Sequence, residues 1–347
     1  MAFINQGRHV GTVGLVEPET LGGEESLRDD INNEGFGTSG GGAGGVPQFK
    51  VHTYLSSGTF EVTGTKPVTM DVFALAGGGA ATGGGGGGGG FIQERVSLSA
   101  GVYDVLVGGG GSASPGEVSN GGSSLFRLQG DGNTNVGVAD AIGGGSGNVS
   151  SGFGGSGGAS GGQGIDDSRQ SGISIPQGAS FRGIPFLFGQ TTHGTSTYQG
   201  HNAGSTGPPC PGTSGGGATG GGGGAGGPGT TAGAIGGHAP CGGCKGGGPG
   251  GQGGAGAANN YRTGSNVFYG GGGQGNGFQL TPAAPDGNVV AGHGGGGSAN
   301  GSTNGAVNQG GGGGVSGFQL GPGGTAGNKG GSGIIVIRAP FPAKDGI

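Results

Sequence analysis

Runs of consecutive glycine constrain the fold of this chain more than any other feature. The longest run contains eight glycines, at residues 83–90. Shorter runs recur at 108–111, 220–224, 270–273, 294–297 and 310–314. Glycine loses more backbone freedom on folding than any other residue, and it has no side chain to bury. Ordinary helices and strands are therefore excluded for these runs, which are either disordered or make structural use of the missing side chain.

A polyproline-II-like helix is the regular structure that suits a glycine run. It has three residues per turn, rises about 3.1 Å per residue and contains no internal hydrogen bonds. Because glycine carries only hydrogen where other residues carry a side chain, such helices can pack side by side. Their N–H and C=O groups then bond to neighbouring helices, as buried backbone groups must. The sequence therefore predicts a bundle of polyglycine-II helices whose interior is main chain.

The composition separates this prediction from two other glycine-rich classes. The chain has 347 residues, of which 110 are glycine and 17 are proline. The eight-residue run breaks the Gly-X-Y period, and proline is not abundant, so collagen is excluded. Charged residues make up only 9% of the chain, and apolar residues gather in short runs. Both features argue against disorder, which stays open as the alternative for the glycine-rich region.

Charge and motifs exclude several functional classes. The net charge of −5 is spread thinly and leaves no basic stripe for nucleic acid. We find no apolar stretch long enough to insert into a membrane and no signal peptide at the start of the sequence. Matches to G-x-G-x-x-G carry no weight without a βαβ context. With no catalytic constellation visible, the sequence predicts a protein that is not an enzyme.

Strand-like runs lie towards both ends of the chain. Residues 48–62 predict a hairpin, and further strands are predicted at 68–75, 91–98, 102–107, 123–129 and 333–338. Several of these runs lead directly into glycine. The predicted fold class is mainly β with irregular structure and almost no α-helix. In it, a small β-sandwich frame, closed by the C-terminal strand, carries the bundle of polyglycine-II helices.

The predicted organisation has four parts. Residues 1–45 form an N-terminal docking arm and glycine linker, and residues 46–130 form the β frame with the first polyglycine tract. Residues 131–332 form the bundle with surface loops, and residues 333–347 form the closing strand and tail. The arm is acidic but also apolar, with one or two helical turns expected within 26–33. It is interpreted as a segment that docks on a partner through residues 1–35, or alternatively as a flexible tail.

These edge motifs resemble a known family. The runs HTYLSSGTFEV, DVFALAGGGAATGGGGGGGG, VYDVLVGGGG and GGSGIIVIR look like those of the glycine-rich domain of bacteriophage tail-fibre and adhesin proteins. The resemblance covers about residues 48–338. It implies a polyglycine-II bundle on a β frame, carried on a virion, with loops at the far end of the bundle that bind the host surface. The first 35 residues do not match that pattern clearly.

Two interruptions of the glycine-rich region supply candidate receptor-binding residues. Aromatic rings, arginine and planar amides anchor interfaces and suit glycans, especially on loops held by a rigid scaffold. The candidates are Tyr198, His201, Asn259, Asn260, Tyr261, Arg262, Phe268 and Tyr269. The expected ligand is a host surface glycan or outer-membrane protein. The alternative is that these side chains pack against the bundle.

The three cysteines admit three interpretations. Cys241 and Cys244 have the Cys-x₂-Cys spacing of metal sites, and Cys210 and His238 would complete a Cys₃His zinc site. The same residues allow a disulfide from Cys210 to Cys241 or Cys244, or three reduced thiols. A structural zinc is therefore the one cofactor that the sequence leaves open.

A near repeat marks the second half of the glycine-rich region. Residues 276–282, NGFQLTP, and residues 316–322, SGFQLGP, are close copies. The repeat predicts two equivalent strands or turns in the bundle, although low-complexity sequence also produces such copies by chance.

The function predicted from these features is that of a virion structural protein. It would be a phage fibre or spike component that recognises the host. A homotrimer is one oligomeric state compatible with this role, and residues 1–35 would bind other virion proteins. One alternative is a capsid or tail decoration or connector protein without receptor binding. Another is an ice-binding type of polyglycine bundle, against which the irregular bulky insertions argue.

Overall fold

The structure, a computed structural model, describes most of the strand-forming sequence and part of the glycine-rich region. The described residues are 20–21, 23–29, 48–114, 117–129, 137–147, 200, 203, 220–230, 250–275, 294–297, 304–315 and 327–341. Within these residues there are β-strands and no helix, which confirms the prediction of a mainly β fold. The strands are β1 (Thr20–Leu21), β2 (Glu24–Asp29), β3 (Gln48–Tyr54), β4 (Gly58–Val62), β5 (Val68–Leu75), β6 (Phe91–Leu98), β7 (Gly101–Leu106), β8 (Ala113–Ser114), β9 (Glu117–Val118), β10 (Ser124–Leu128), β11 (Gly137–Ala141), β12 (Ala257–Asn259), β13 (Val267–Tyr269) and β14 (Ile334–Phe341).

Two open antiparallel sheets of five strands form the frame. The first sheet has the order β1-β4-β7-β10-β11, and the second has the order β2-β3-β14-β5-β6. Alternate side chains of both sheets meet in one apolar core, as the two-residue period of a strand requires. The ring of Phe60 in the first sheet lies 5.8 Å from that of Phe126, and both belong to one cluster with Met70 and Ile337 of the second sheet. The predicted sandwich is therefore present.

The C-terminal strand lies at the centre of the second sheet. Ile337 of β14 is opposite His52 of β3 on one side and Val72 of β5 on the other. The run IIVI of this strand is β-branched and apolar, which suits a strand that is buried on both faces. The last strand of the described chain thus joins β3 to β5.

Two predictions of local structure are wrong. Residues 48–62 do not form a hairpin, because β3 belongs to the second sheet and β4 to the first. The short connection at 55–57 carries the chain across the sandwich, so each strand pairs with other partners. The helical turn expected from residue 26 is also wrong as far as residue 29, where β2 pairs with β3 along the sheet.

The frame draws strands from beyond residues 46–130. β1 and β2 lie in the segment predicted as a docking arm, and they pair with β4 and β3. β11 lies in the segment predicted as bundle, and it pairs with β10. Part of the acidic arm is therefore used inside the protein itself.

The glycine-rich segments lie side by side and bond through their backbones. We call this region the glycine bundle; its segments are 76–81, 85–90, 108–111, 119–122, 142–147, 220–225, 251–254, 270–275, 294–297, 310–315 and 328–333. Residues 76–90 and 310–315 are buried throughout, although almost all are glycine or alanine. Nearly every N–H of residues 85–90 and 76–81 donates to a carbonyl of another segment. Main chain packed on main chain thus replaces side-chain packing in this region.

The lateral hydrogen bonds of residues 85–90 repeat every three residues. Three neighbouring segments accept them in turn: Gly85 and Gly88 donate to Gly220 and Gly223, Gly86 and Gly89 to Gly313 and Gly310, and Gly87 and Gly90 to Gly145 and Ile142. Residues 76–81 follow the same rule with segments 87–90, 119–122 and 328–331. A helix with three residues per turn has this period. The assignment of the segments as polyglycine-II helices stays a prediction that this pattern supports.

The glycine bundle extends from one end of the sandwich. Segment 76–81 continues β5, segment 85–90 leads into β6, and segment 328–333 leads into β14. Segments 108–111 and 119–122 are joined in the same way to β7 and β10, and segment 142–147 continues β11. We call the end of the bundle away from the sandwich the distal end, and the end of the sandwich away from the bundle the basal end.

Candidate functional site

The distal end collects most of the described residues that flank long insertions; Gly294, which accepts the Gly271 N–H, lies nearer the sandwich. The turn at 82–84 marks this end, because Thr82 and Gly83 both donate to the carbonyl of Gly147. Five hydrogen bonds place six further segment ends at the same level, because Gly85 donates to Gly220, Gly221 to Thr230, Gly275 to Gly251, Val315 to Gln274 and Asn328 to Ala81. The sequences 148–199, 231–249, 276–293 and 316–326 therefore all leave the described bundle at its distal end.

The segments that precede the two near repeats are parallel neighbours. Gly312 donates to Gly271, and three residues later Val315 donates to Gln274. The repeats at 276–282 and 316–322 themselves lie outside the described residues. The two segments that lead into the repeats are thus adjacent and parallel, and the equivalence of the repeats themselves stays a prediction.

The hairpin of β12 and β13 carries most of the described candidate binding residues. It interrupts the glycine bundle between segments 251–254 and 270–275, and it packs on the outer face of the second sheet. Asn259, Tyr261 and Tyr269 are buried there. The ring of Tyr269 lies 4.9 Å from that of Phe73, in a second apolar cluster with Leu75. The burial of these three residues therefore favours a packing role over recognition of a ligand at the surface.

A buried ion cluster lies beneath this hairpin. Both oxygens of the Asp71 carboxylate are bonded: Arg95 Nε donates to Oδ1 at 2.8 Å, and Arg338 Nη2 donates to Oδ2 at 2.7 Å. The Arg338 guanidinium is also sandwiched between two rings, 4.6 Å from the centroid of Phe49 and 4.4 Å from that of Tyr261. Removing one member of such a buried, hydrogen-bonded ion cluster destabilises the fold, because a buried charge is then left without its partner. The cluster therefore ties the hairpin to β5, β6 and β14.

Polar contacts extend the cluster to the start of the hairpin. The Gln93 amide donates to the Tyr261 hydroxyl at 2.7 Å, and the Asn259 side-chain amide donates to Gln93 Oε1 at 3.3 Å. The side-chain oxygen Oδ1 of Asn259 accepts the Tyr261 backbone N–H at 2.9 Å. Of the two amide side chains that the sequence suggested for ligand binding, that of Asn259 is thus engaged inside the protein.

Burial shifts several ionisable groups. It raises the pKa of Tyr261 and Tyr269, and the Asp71 charge raises that of Tyr261 further. The hydrogen bond to Asp71 raises the pKa of Arg95, so this side chain is charged at all ordinary pH values. Burial alone raises the pKa of Glu94 to about 7. Glu94 lies on the same strand face as Ile92 and Val96 of the core, which accounts for its loss of solvent.

The tip of the hairpin supplies its accessible residues. Phe268 is 48% exposed, Asn260 and Arg262 are half-buried, and residues 263–266 are exposed. The Thr263 hydroxyl donates to the Ser265 carbonyl at 2.8 Å, which shapes the turn. Of the described candidates, Phe268 is therefore the most exposed, followed by the half-buried Asn260 and Arg262, and Arg262 also hydrogen-bonds to Tyr269.

Other predicted site residues lie outside the described part of the chain. These are Tyr198, His201, Cys210, His238, Cys241 and Cys244. Among the described residues no group of histidine, cysteine and carboxylate side chains is placed to hold a metal. No helix in the described part of the chain could cross a membrane. The zinc and disulfide hypotheses stay predictions.

Sequence reasoning missed Asp71, Arg95, Arg338 and Ser124. Ser124 is fully buried at the junction of frame and bundle, where its hydroxyl donates to the Leu75 carbonyl at 2.7 Å and accepts the Gly108 N–H at 2.9 Å. The one available signal was a charged residue inside each of two apolar strands, VTMDVFAL and IIVIRAPF. Opposite charges at such positions are expected to pair, because an unpaired buried charge is costly.

Comparison with known proteins adds no relative. No protein-family model matches this chain, and no curated protein matches it. The functional argument therefore depends on the residues and their geometry.

Proposed function

We propose that this protein is a non-enzymatic virion structural protein, a component of a phage fibre or spike that recognises the host surface through loops at the distal end of its glycine bundle. The observation that supports this proposal is the polarity of the molecule. Long insertions begin at the distal end, whereas residues 1–19, 30–47 and 342–347 join the sandwich at the basal end. Recognition and attachment are thus assigned to opposite ends of one rigid body.

The glycine bundle suits the role of a stiff platform. Segment 76–81 is fully buried and is bonded laterally to several neighbours. At about 3.1 Å per residue, such a six-residue segment separates the sandwich from the distal turn by about 19 Å. Binding loops are effective when a rigid scaffold positions them, because little ordering entropy is then lost on binding.

The basal end suits attachment to other virion proteins. Thr20 of β1 is opposite Val62, and Asp29 of β2 and Phe341 of β14 are both opposite Gln48. Residues 1–19, 30–47 and 342–347 therefore join the sandwich at its basal edge. Since residues 20–29 are built into the sandwich itself, the proposed contact with virion partners falls on the rest of the segment 1–35.

The receptor class that we propose is a host surface glycan or an outer-membrane protein. Arginine and aromatic residues are enriched at the centres of binding interfaces. Arg262 and Phe268 at the hairpin tip provide one accessible pair beside the second sheet, apart from the distal end. Tyr198 and His201, which lie outside the described residues, stay candidates.

Replacement of distal insertions tests the proposal. In separate variants, residues 231–249 and 316–326 are replaced by short Gly-Ser linkers, and binding of the labelled protein to intact host cells is measured. The control replaces the exposed basal loop 65–67 in the same way. We expect at least one distal replacement to reduce binding about tenfold or more at unchanged melting temperature, which corresponds to about 1.4 kcal/mol. Undiminished binding by both distal variants would refute recognition by these loops.

Treatment of the cells separates the two receptor classes. Periodate oxidation of surface sugars should abolish binding to a glycan, and proteolysis should abolish binding to an outer-membrane protein. Electron cryo-microscopy of the particle then locates the protein. A distal position on a fibre or spike agrees with the proposal, and repetition over a capsid or tail lattice would favour a decoration protein instead.

A further inference from the structure

The two sheets of the sandwich differ in how their outer faces are covered. The apolar part of the outer face of the second sheet, which includes Phe73, Leu75 and Val336, is buried under the hairpin of β12 and β13. On the first sheet, the side chains that alternate with the core residues face outwards instead. These outward residues are Thr59, Glu61, Val102, Asp104, Leu106, Leu125, Arg127 and Asp140. We call them the first-sheet outer face.

The first-sheet outer face combines aliphatic and acidic side chains. Leu106 is 36% exposed and lies directly opposite Leu125 on the neighbouring strand, and Val102 is half-buried on the same face. Its charged groups are the carboxylates of Glu61, Asp104 and Asp140 and the guanidinium of Arg127. The Arg127–Asp104 pair, at 3.6 Å, is largely exposed and contributes little. The face therefore favours an occupant that is apolar and positively charged.

Residues 1–16 have this character. The sequence MAFINQGRHVGTVGLV contains Arg8 and His9 and no acidic residue, although the residues that follow it are rich in acids. Its apolar members, which fit an aliphatic face, are Phe3, Ile4, Val10, Val13, Leu15 and Val16. The segment thus matches the first-sheet outer face in both charge and polarity.

The segment is also tethered beside this face. Residue 19 precedes β1, which is the edge strand of the first sheet, and Thr20 is opposite Val62 of β4. The far corner of the face is about 25 Å away, for strands about 4.8 Å apart that rise about 3.3 Å per residue. About eight extended residues cover that distance, so the length of the segment is ample. A short tether also gives an effective concentration in the millimolar range, which favours binding within one chain.

We infer that residues 1–16 of the same chain lie across the first-sheet outer face and cover Leu106 and Leu125. This docking would complete the sandwich, because both sheets would then be covered on their outer sides. It does not rest on the proposed function in a virion. It also means that a partner that takes up residues 1–16 would have to release them from this face.

Photo-crosslinking of the full chain tests this inference. Phe3 is replaced by the photoreactive analogue p-benzoylphenylalanine, the protein is irradiated, and the linked peptides are mapped by mass spectrometry. The native cysteines are retained, so that any disulfide or metal site they form is left unchanged. We expect links within one polypeptide to peptides that contain residues 59–61, 102–106 or 125–127.

A matched pair of substitutions makes the test specific. Leu106 and Leu128 are both 36% exposed, but Leu128 lies opposite Tyr103, on the core side of the sheet. Leu106→Gln should reduce the yield of these links at least threefold, and Leu128→Gln should leave it unchanged. Raising the salt concentration from about 0.05 to 0.5 M should also reduce the yield, since screening weakens exposed charge pairs. Links to other surfaces, links mainly between two copies of the chain, or equal yields in the two variants would overturn the inference.

Discussion

The sandwich and the glycine bundle satisfy the same physical requirement with opposite materials. In the sandwich, buried rings and aliphatic chains such as Phe60, Phe126 and Ile337 fill the space between two hydrogen-bonded sheets. In the bundle, segments such as 85–90 have no side chains and bond laterally in several directions instead of two. A core thus depends on close packing and satisfied hydrogen bonds, and large apolar side chains are one way to achieve both.

The comparison predicts that the two regions respond to opposite changes in side-chain size. Removing atoms should harm the sandwich, where a cavity would remain, and adding a single methyl group should harm the bundle, where no space exists. The following predictions are ordered from the largest expected effect to the smallest.

Phe60→Ala should cause the largest loss of stability. The side chain is fully buried between the sheets and contacts His52 and Phe126 through edge-to-face ring pairs. Truncation of such a ring lowers the free energy of unfolding by about 3–5 kcal/mol. Denaturant unfolding followed by tyrosine fluorescence measures this change. Val307→Ala, at a position that is 71% exposed, is the control and should cost less than about 1 kcal/mol.

Gly88→Ala should destabilise the bundle by about 3 kcal/mol. The added methyl carbon would overlap the carbonyl oxygen of Gly270, which belongs to backbone that cannot rotate away. Gly109→Ala is the matched control, because a methyl group there would meet nothing within 4 Å. It should change the free energy of unfolding by less than about 1 kcal/mol. The change should favour the folded state, because alanine reduces the conformational entropy of the unfolded chain. Equal stability of the two variants would contradict the close lateral packing of segment 85–90.

Arg338→Met should lower the free energy of unfolding by about 3 kcal/mol. The substitution leaves the buried Asp71 with Arg95 alone and removes the cation from between Phe49 and Tyr261. Arg127→Met breaks the exposed pair with Asp104 and should cost less than about 1 kcal/mol. Calorimetry compares the melting temperatures. A similar small effect of both substitutions would show that the cluster does not hold the hairpin to the sheet.

Glu94→Gln should have the smallest effect and the clearest pH dependence. The folded-state pKa of Glu94, about 7, lies above its ordinary value of 4.5, so the folded protein favours the protonated form. The stability gained from this group is complete below pH 4.5 and is lost as the pH rises through 7. Because Glu94 is partly solvated, the change is about 1 kcal/mol after screening is allowed for. Unfolding curves at pH 5 and pH 8 should therefore differ less for Glu94→Gln than for the wild-type chain.

Much of the frame could be predicted from the sequence because its strands have strong local signals. The runs at 68–75, 91–98 and 334–341 are apolar or alternating, and each is a strand close to the predicted bounds. The pairing of β3 and β4 could not be predicted, because alternation does not tell which sheet a strand joins. Local patterns show the presence of strands better than their partners.

The candidate site was less predictable because its contacts connect distant parts of the chain. The partners Asp71 and Arg338 are separated by 267 positions, and Gln93 and Tyr261 by 168. The aromatic and amide residues of 259–269 matched the composition of a binding loop, yet Asn259, Tyr261 and Tyr269 pack inside. Residue type alone does not distinguish an internal anchor from an external one.

Amide hydrogen exchange tests the central claim, that laterally bonded main chain forms a core, most directly. The account predicts that residues 85–90 and residues Gly310, Gly312 and Gly313 exchange at least about a thousandfold more slowly than the exposed turn at 263–266, because their N–H groups are buried and bonded. Exchange throughout 85–90 as fast as in that turn would show that the glycine segments are open to solvent, and it would contradict the account.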